Sequence, residues 1–204
     1  MPNSGYILSF VACLLSKYTQ KWYNIGMLYD DIYSISTENH GIVTHSAACA
    51  LGVKGKDLAR WVKIGRMIRL GHGVYRTTQY PFSEEDQFAN AVALAGPKAY
   101  LCGESVVAYL KLTQSVDVRV IHVAVPVRSR RTLPKSIAIE TRSPEYKPVN
   151  YNGVMIEKPV DALRACIGTM MSDRIYDAAS EAYRTGKLFK EDFEQLTMEI
   201  QTHA

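Results

Sequence analysis

The sequence has no paired cysteines, no long apolar run and no repeated or low-complexity tract. Its four cysteines, Cys13, Cys49, Cys102 and Cys166, lie far apart and form no C-x-x-C pair. The five histidines show no ligand spacing either, which argues against a zinc module. Each cysteine sits among apolar neighbours, so buried free thiols in a reducing, cytoplasmic compartment are expected. The apolar stretch Tyr6 to Leu15 covers ten residues, too few to cross a bilayer as a helix. Lys17, the first basic residue, follows that stretch, the reverse of a secretory signal. Catalytic signatures are missing too: there is no P-loop, no Gly-rich phosphate loop, no nucleophile elbow and no H-E-x-x-H. The expectation is a protein with no catalytic residue, no metal, no cofactor and no membrane partner.

What is present is a local excess of positive charge. The chain of 204 residues carries a formal charge of only +4. Residues 40–80 contain seven cations (Lys54, Lys56, Arg60, Lys63, Arg66, Arg69, Arg76) against one acid, Asp57. Residues before and after this segment are each close to neutral. Such a concentration of charge is the footprint of a nucleic-acid-binding module.

The same segment has an ordered set of elements. Leu28, Ile32 and Ile35 fall at i, i+4 and i+7, which predicts a helix over 28–38 with Asp30, Asp31 and Ser34 outward. Gly41 is placed to end it. Thr44 is an N-cap for a brief helix from His45 to Leu51, whose Ala47, Ala48 and Leu51 face inward. A third helix starts at Lys56, with Leu58, Trp61 and Val62 on its apolar side. Lys56, Arg60 and Lys63 recur at i, i+4 and i+7 along a line about 10 Å long. Like charges at this spacing destabilise an isolated helix slightly, so contact with a polyanion explains them better than folding does. "RMIRL", "GHG" and "VYRTT" then read as strand, turn and strand, with Gly71 and Gly73 both expected at positive φ. Helix, short helix, basic helix and hairpin is the order of a winged helix-turn-helix, whose third helix enters the major groove.

Residues 40–78 resemble the N-terminal domain of the AbiEi antitoxins of type IV toxin–antitoxin systems, which are linked to abortive phage infection. The family pattern G-[IVL]-[IVF]-T stands at Gly41–Thr44, and the small-residue helix ending in [AL]-G-[IV] at Ala50–Val53. The L-x-x-L-V-x-x-G helix appears as Leu58, Trp61, Val62 and Gly65, and R-G-V-Y-R closes at Gly73–Arg76. Trp61 replaces a more usual Leu, and His72 a more usual Arg. The resemblance implies an operator-binding repressor of its own operon that counteracts a co-encoded nucleotidyltransferase-like toxin, with which a stable complex is not assumed. Double-stranded DNA bearing inverted repeats is the implied ligand. Thr44, His45, Lys54, Lys56, Arg60 and Lys63 are its expected contacts on the helices, and Arg69, His72 and Arg76 on the wing.

The expected organisation is a dispensable extension over 1–26, a winged helix over 27–80 and a mixed α/β domain over 81–204, an α+β chain overall. In the last part Ser83 is expected to cap a helix, with Asp86 three residues on. Asn152-Gly153 marks a hairpin turn, and Pro159 opens a helix with Leu163 and Cys166 inward. His122 reads as a core histidine. Asp117, Lys135 and Glu140 do not make a nuclease pattern, since the lysine precedes the glutamate. The cluster Arg128, Arg130, Arg131 and Lys135 is either a solvated loop or a second macromolecular contact. An alternative function is a winged-helix regulator whose C-terminal domain senses a small molecule or a protein.

Overall fold

The computed structural model describes residues 28–113, 118–127 and 132–203. The chain divides into two compact units, the first ending at Pro81 and the second beginning at Phe82. The expected extension over 1–26 lies outside the described residues.

The first unit opens with helix α1 over residues 28–37. Strand β1 (Ile42–Thr44), helices α2 (His45–Ala50) and α3 (Gly55–Lys63), and strands β2 (Met67–Gly71) and β3 (Val74–Thr77) follow. The strands form an antiparallel sheet in the order β1-β3-β2. This is the element order expected of a winged helix-turn-helix. The core is one apolar cluster of Tyr29, Ile32, Val43, Ala48, Val53, Leu58, Trp61, Met67 and Tyr75. Trp61 packs edge-on against Tyr29, with ring centroids 5.2 Å apart. Side chains from all three helices and all three strands therefore meet in one core.

Helix α1 is rotated from the expected stripe. Tyr29, Ile32 and Ser36 are its buried positions, whereas Leu28 and Ile35 are only half buried. Ser36 is tolerated inside because its hydroxyl donates to the Tyr33 carbonyl at 2.7 Å and meets Thr77 Oγ1 at 3.1 Å. Gly41 follows at φ 74°, and a Cβ there would lie 2.8 Å from the Tyr80 side chain. No larger residue fits while Tyr80 holds that place.

The second unit is built on a five-stranded sheet in the order β6-β5-β4-β8-β7. Its members are β4 (Tyr100–Leu101), β5 (Ile121–Val125), β6 (Ile137–Thr141), β7 (Val149–Tyr151) and β8 (Val154–Ile156). β4 runs antiparallel to β5 and parallel to β8, β5 runs parallel to β6, and β7 and β8 form a hairpin. The hairpin turns at Asn152 and Gly153, both at positive φ, as the Asn-Gly pair demands. Helix α4 (Asp86–Ala95) packs on β4, β5 and β8, and α5 (Glu104–Tyr109) on β5. Helix α6 (Pro159–Ala165) begins on Pro159 and joins α7 (Ser172–Arg184) and α8 (Lys190–His203) in a terminal helical layer.

Three expectations change in this unit and its neighbour. Ser83 is not the N-cap of α4: its backbone N–H and hydroxyl donate to the Asp86 carboxylate at 2.9 and 2.8 Å, and the helix proper starts at Asp86. His122 is not a core residue, since its side chain is 39% exposed and its Nδ1 lies 3.1 Å from Glu140. Cys49 is exposed, while Cys102 and Cys166 are buried as expected. Burial raises the Cys166 thiol to about 12, so it stays protonated and unreactive at neutral pH.

Candidate nucleic-acid interface

The candidate surface is built from the start of α2, the outer face of α3 and the turn of the β2–β3 hairpin. Thr44 caps α2 by accepting the Ala47 N–H at 3.2 Å, and its hydroxyl meets Ser46 Oγ at 3.0 Å. The backbone N–H of His45 donates to the Gly73 carbonyl at 2.7 Å, which ties the helix start to the hairpin turn. The His45 ring lies against the start of α3: a Cβ on Gly55 would meet its Nε2 at 3.5 Å. Three elements distant in sequence thus surround one exposed histidine.

Helix α3 separates its faces cleanly. Leu58 and Trp61 are buried, whereas Lys54, Lys56 and Lys63 are exposed. The one acid of the segment has a local task, as Asp57 accepts the Lys54 backbone N–H at 3.3 Å and holds the first turn. Arg60 is half buried. At about 100° per residue it lies to one side of the Lys56–Lys63 line. Among the described residues Lys56 and Lys63 have no ion-pair partner, so their charge is open to a ligand.

In the hairpin the reversal needs one left-handed glycine, not two. Gly73 adopts φ 71°, while Gly71 ends β2 opposite Val74 after a register shift at Arg69/Gly71. His72 and Arg69 are exposed, and Arg69 Nε donates to the Gly71 carbonyl at 3.3 Å. Arg76 is placed differently from the expectation. It is 2% exposed, its Nη2 donates to the Pro81 carbonyl at 3.2 Å, and its guanidinium faces the Tyr80 ring at 5.8 Å. Arg76 therefore holds the segment leaving β3 instead of presenting its charge on the wing. Arg66, absent from the expected contacts, is exposed with its guanidinium 4.8 Å over the Tyr29 ring. Its membership of the basic segment was the available signal, but it follows α3 and fits no helical stripe.

The second candidate cluster is only partly placed. Lys135 is exposed before β6, and Arg128, Arg130 and Arg131 lie outside the described residues, as does Asp117. Glu140 is engaged with His122 and, at 2.9 Å, with Arg142. Among the described residues no three His, Cys, Asp or Glu side chains converge as a metal site. No helix among them is long and apolar enough to cross a membrane.

Residues 32–78 match the model of a family described as a transcriptional regulator, AbiEi antitoxin. The match runs from within α1 to just past β3 and includes the exposed Lys54, Lys56, Lys63, Arg66 and Arg69. No curated protein matches the sequence. Among solved structures, a protein of Mycobacterium tuberculosis, RV2827C, is similar over 82% of this chain and 79% of that one, at 10% identity and a TM-score of 0.38.

Proposed function

We propose that the chain is a DNA-binding repressor of the AbiEi antitoxin type, acting on inverted repeats of its own operon. Its second unit counteracts a nucleotidyltransferase-like toxin, without a stable complex being required. The observation that carries the DNA reading is the exposure of Lys56 and Lys63 on α3, neither with an ion-pair partner among the described residues, beside His45 and the wing turn. On this reading α3 enters the major groove and the flanking groups meet the adjacent phosphates. Lys54, Lys56, Lys63, Arg66 and Arg69 neutralise phosphates, His45 and His72 lie at the margins of the contact, and Arg60 assists from the side. Thr44 acts chiefly by holding α2 in place.

Counterion release gives the test. Five phosphate contacts weaken binding about 500-fold between 50 and 200 mM salt. Replacing Lys56 and Lys63 together by Ala lowers the salt slope by about two and costs at least tenfold at 100 mM salt. Fluorescence anisotropy on the upstream DNA of its own gene measures both. A folded double variant with unchanged slope rejects the assignment.

The alternative, a regulator that senses a small molecule, has one observation in its favour. A cavity of about 390 Å³ in the second unit is lined by Phe88, Tyr109, Glu85 and Lys111, a size suited to a small ligand. It predicts DNA affinity that changes with an added metabolite in the absence of any toxin.

A further inference from the structure

The sheet of the second unit ends in two outer strands of different character. β7 is three residues long, follows Pro148 and the exposed Lys147, and turns Asn150 to solvent. Short length, proline and lysine are the usual guards of a strand edge. β6, on the other side, is five residues long and reads IAIET, with no lysine, proline or glycine within it. Its one charge, Glu140, is held by His122 and Arg142. Ile137 and Ile139 lie opposite the buried Ile121 and Val123, yet both are only half buried.

Register decides which backbone groups of β6 look outward. The Ser136 carbonyl accepts the Ile121 N–H at 2.8 Å, and the Arg142 N–H donates to the Val125 carbonyl at 3.0 Å. The even-numbered residues of the strand therefore bond to β5, while Ile137, Ile139 and Thr141 direct their groups away from the sheet. The Ile137 N–H donates to the Pro134 carbonyl at 3.0 Å. Among the described residues no partner meets the Ile139 and Thr141 N–H groups or the Ile137 and Ile139 carbonyls.

We infer that β6 pairs with β6 of a second copy of this chain, antiparallel about a two-fold axis at Ile139, so that two sheets join edge to edge. Ile139 then exchanges both backbone bonds with its own copy, and each Thr141 N–H donates to the other chain's Ile137 carbonyl. The side chains suit this axis. Glu140 falls opposite Ala138 and not opposite itself, so like charges do not meet. The exposed Lys135 comes to the end at which the other chain carries the exposed Glu145. The two Ile139 side chains meet across the axis and cover the apolar surface that one chain leaves half open. A ladder this short buries well under the roughly 1,200 Å² of a stable interface, so association is weak and concentration-dependent. The pairing does not depend on the DNA-binding reading.

Disulfide trapping tests the axis in the full-length chain, with Cys13 and Cys49 replaced by Ser. Two Ile139 α-carbons in a hydrogen-bonded antiparallel pair lie about 5.5 Å apart, within reach of a disulfide. Two Ala138 α-carbons lie about 8 Å apart in the same register, beyond it. Ile139→Cys is expected to become mostly covalent dimer in oxidised glutathione on a non-reducing gel, and Ala138→Cys to stay below about a tenth. Thr141→Pro removes one outward N–H, which an edge strand tolerates, and should cut the Ile139→Cys dimer at least threefold. Circular dichroism checks each variant for the native fold. If Ile139→Cys does not fold, Ile137→Cys with Thr141→Cys in one chain makes the same test, since the two positions face each other across the axis. Equal trapping at 138 and 139, or a dimer unmoved by Thr141→Pro, overturns the inference. A folded chain that stays monomeric throughout also overturns it and leaves the edge to another polypeptide.

Discussion

In the first unit the lysines of α3 stand in solvent above an apolar core, and the single nearby acid is tied to a helix start. In the second unit, charged groups of both signs turn toward one another. Glu140 bonds both His122 and Arg142, and Glu157, 5% exposed, accepts the Gly103 N–H at 3.1 Å. Both arrangements are compatible with a stable fold, and the difference is where compensation comes from. Charges satisfied internally fix strands and loops in register. Lysines without an ion-pair partner on an exposed face are met by water or by a ligand, and on the reading proposed above that ligand is DNA at α3.

The largest expected effect tests whether the two units are separable. Trp61→Ala removes the largest fully buried side chain of the first unit and should cost about 3–5 kcal/mol. Denaturant unfolding should show loss of the first unit's transition and of DNA binding, with the second unit's transition unmoved. If both transitions fall together, the units are one cooperative body. Arg76→Ala is next, at about 2–3 kcal/mol for a buried, hydrogen-bonded guanidinium. Because Arg76 is an inward-facing charge in the outward-facing unit, the salt slope of DNA binding should stay as in the wild type. A lower slope at unchanged stability would return Arg76 to the interface.

The smallest effect concerns the sign of a pH dependence. Burial raises the pKa of Glu157 above its ordinary value, opposed by the Gly103 N–H and by Arg142. The folded chain thus holds this proton to a higher pH than the unfolded chain does. Stability from this group is greatest below the ordinary carboxylate value and declines as pH rises through the folded one. Glu157→Gln keeps an acceptor for Gly103 and removes the titration. Urea melts from pH 4.5 to 8 should show a flatter profile for the variant and a relative gain at neutral pH. An equal loss at every pH would mean that the carboxylate charge itself is needed.

Much of the first unit was legible because its signals are local. Thr44 as a cap, the apolar positions of α3 and the glycine at the hairpin turn each depend on residues within one turn of chain. Arg76 was misread because its burial is created by Tyr80 and Pro81, which return over β3 after the hairpin has ended. The α1 stripe was misread because Ser36 counts as polar until Thr77, from another element, supplies its partner. In the second unit the Asn-Gly turn and Pro159 were readable, while the Glu140 network was not. It joins two parallel strands whose pairing, Ala124 with Glu140, no local pattern encodes.

The two-residue strand β4 has a consequence for the order of synthesis. It is the central strand of its sheet, and Leu101 reaches its parallel partner only when Ile156 has been made. The β1–β3 register, by contrast, is complete once Thr77 is in place. Folding during translation proceeds from the N-terminus, and contacts distant in sequence form late. On the ribosome the lysine-bearing unit therefore finishes while the second sheet still lacks a strand. The nascent chain acquires its exposed cationic face before it acquires the rest of its structure.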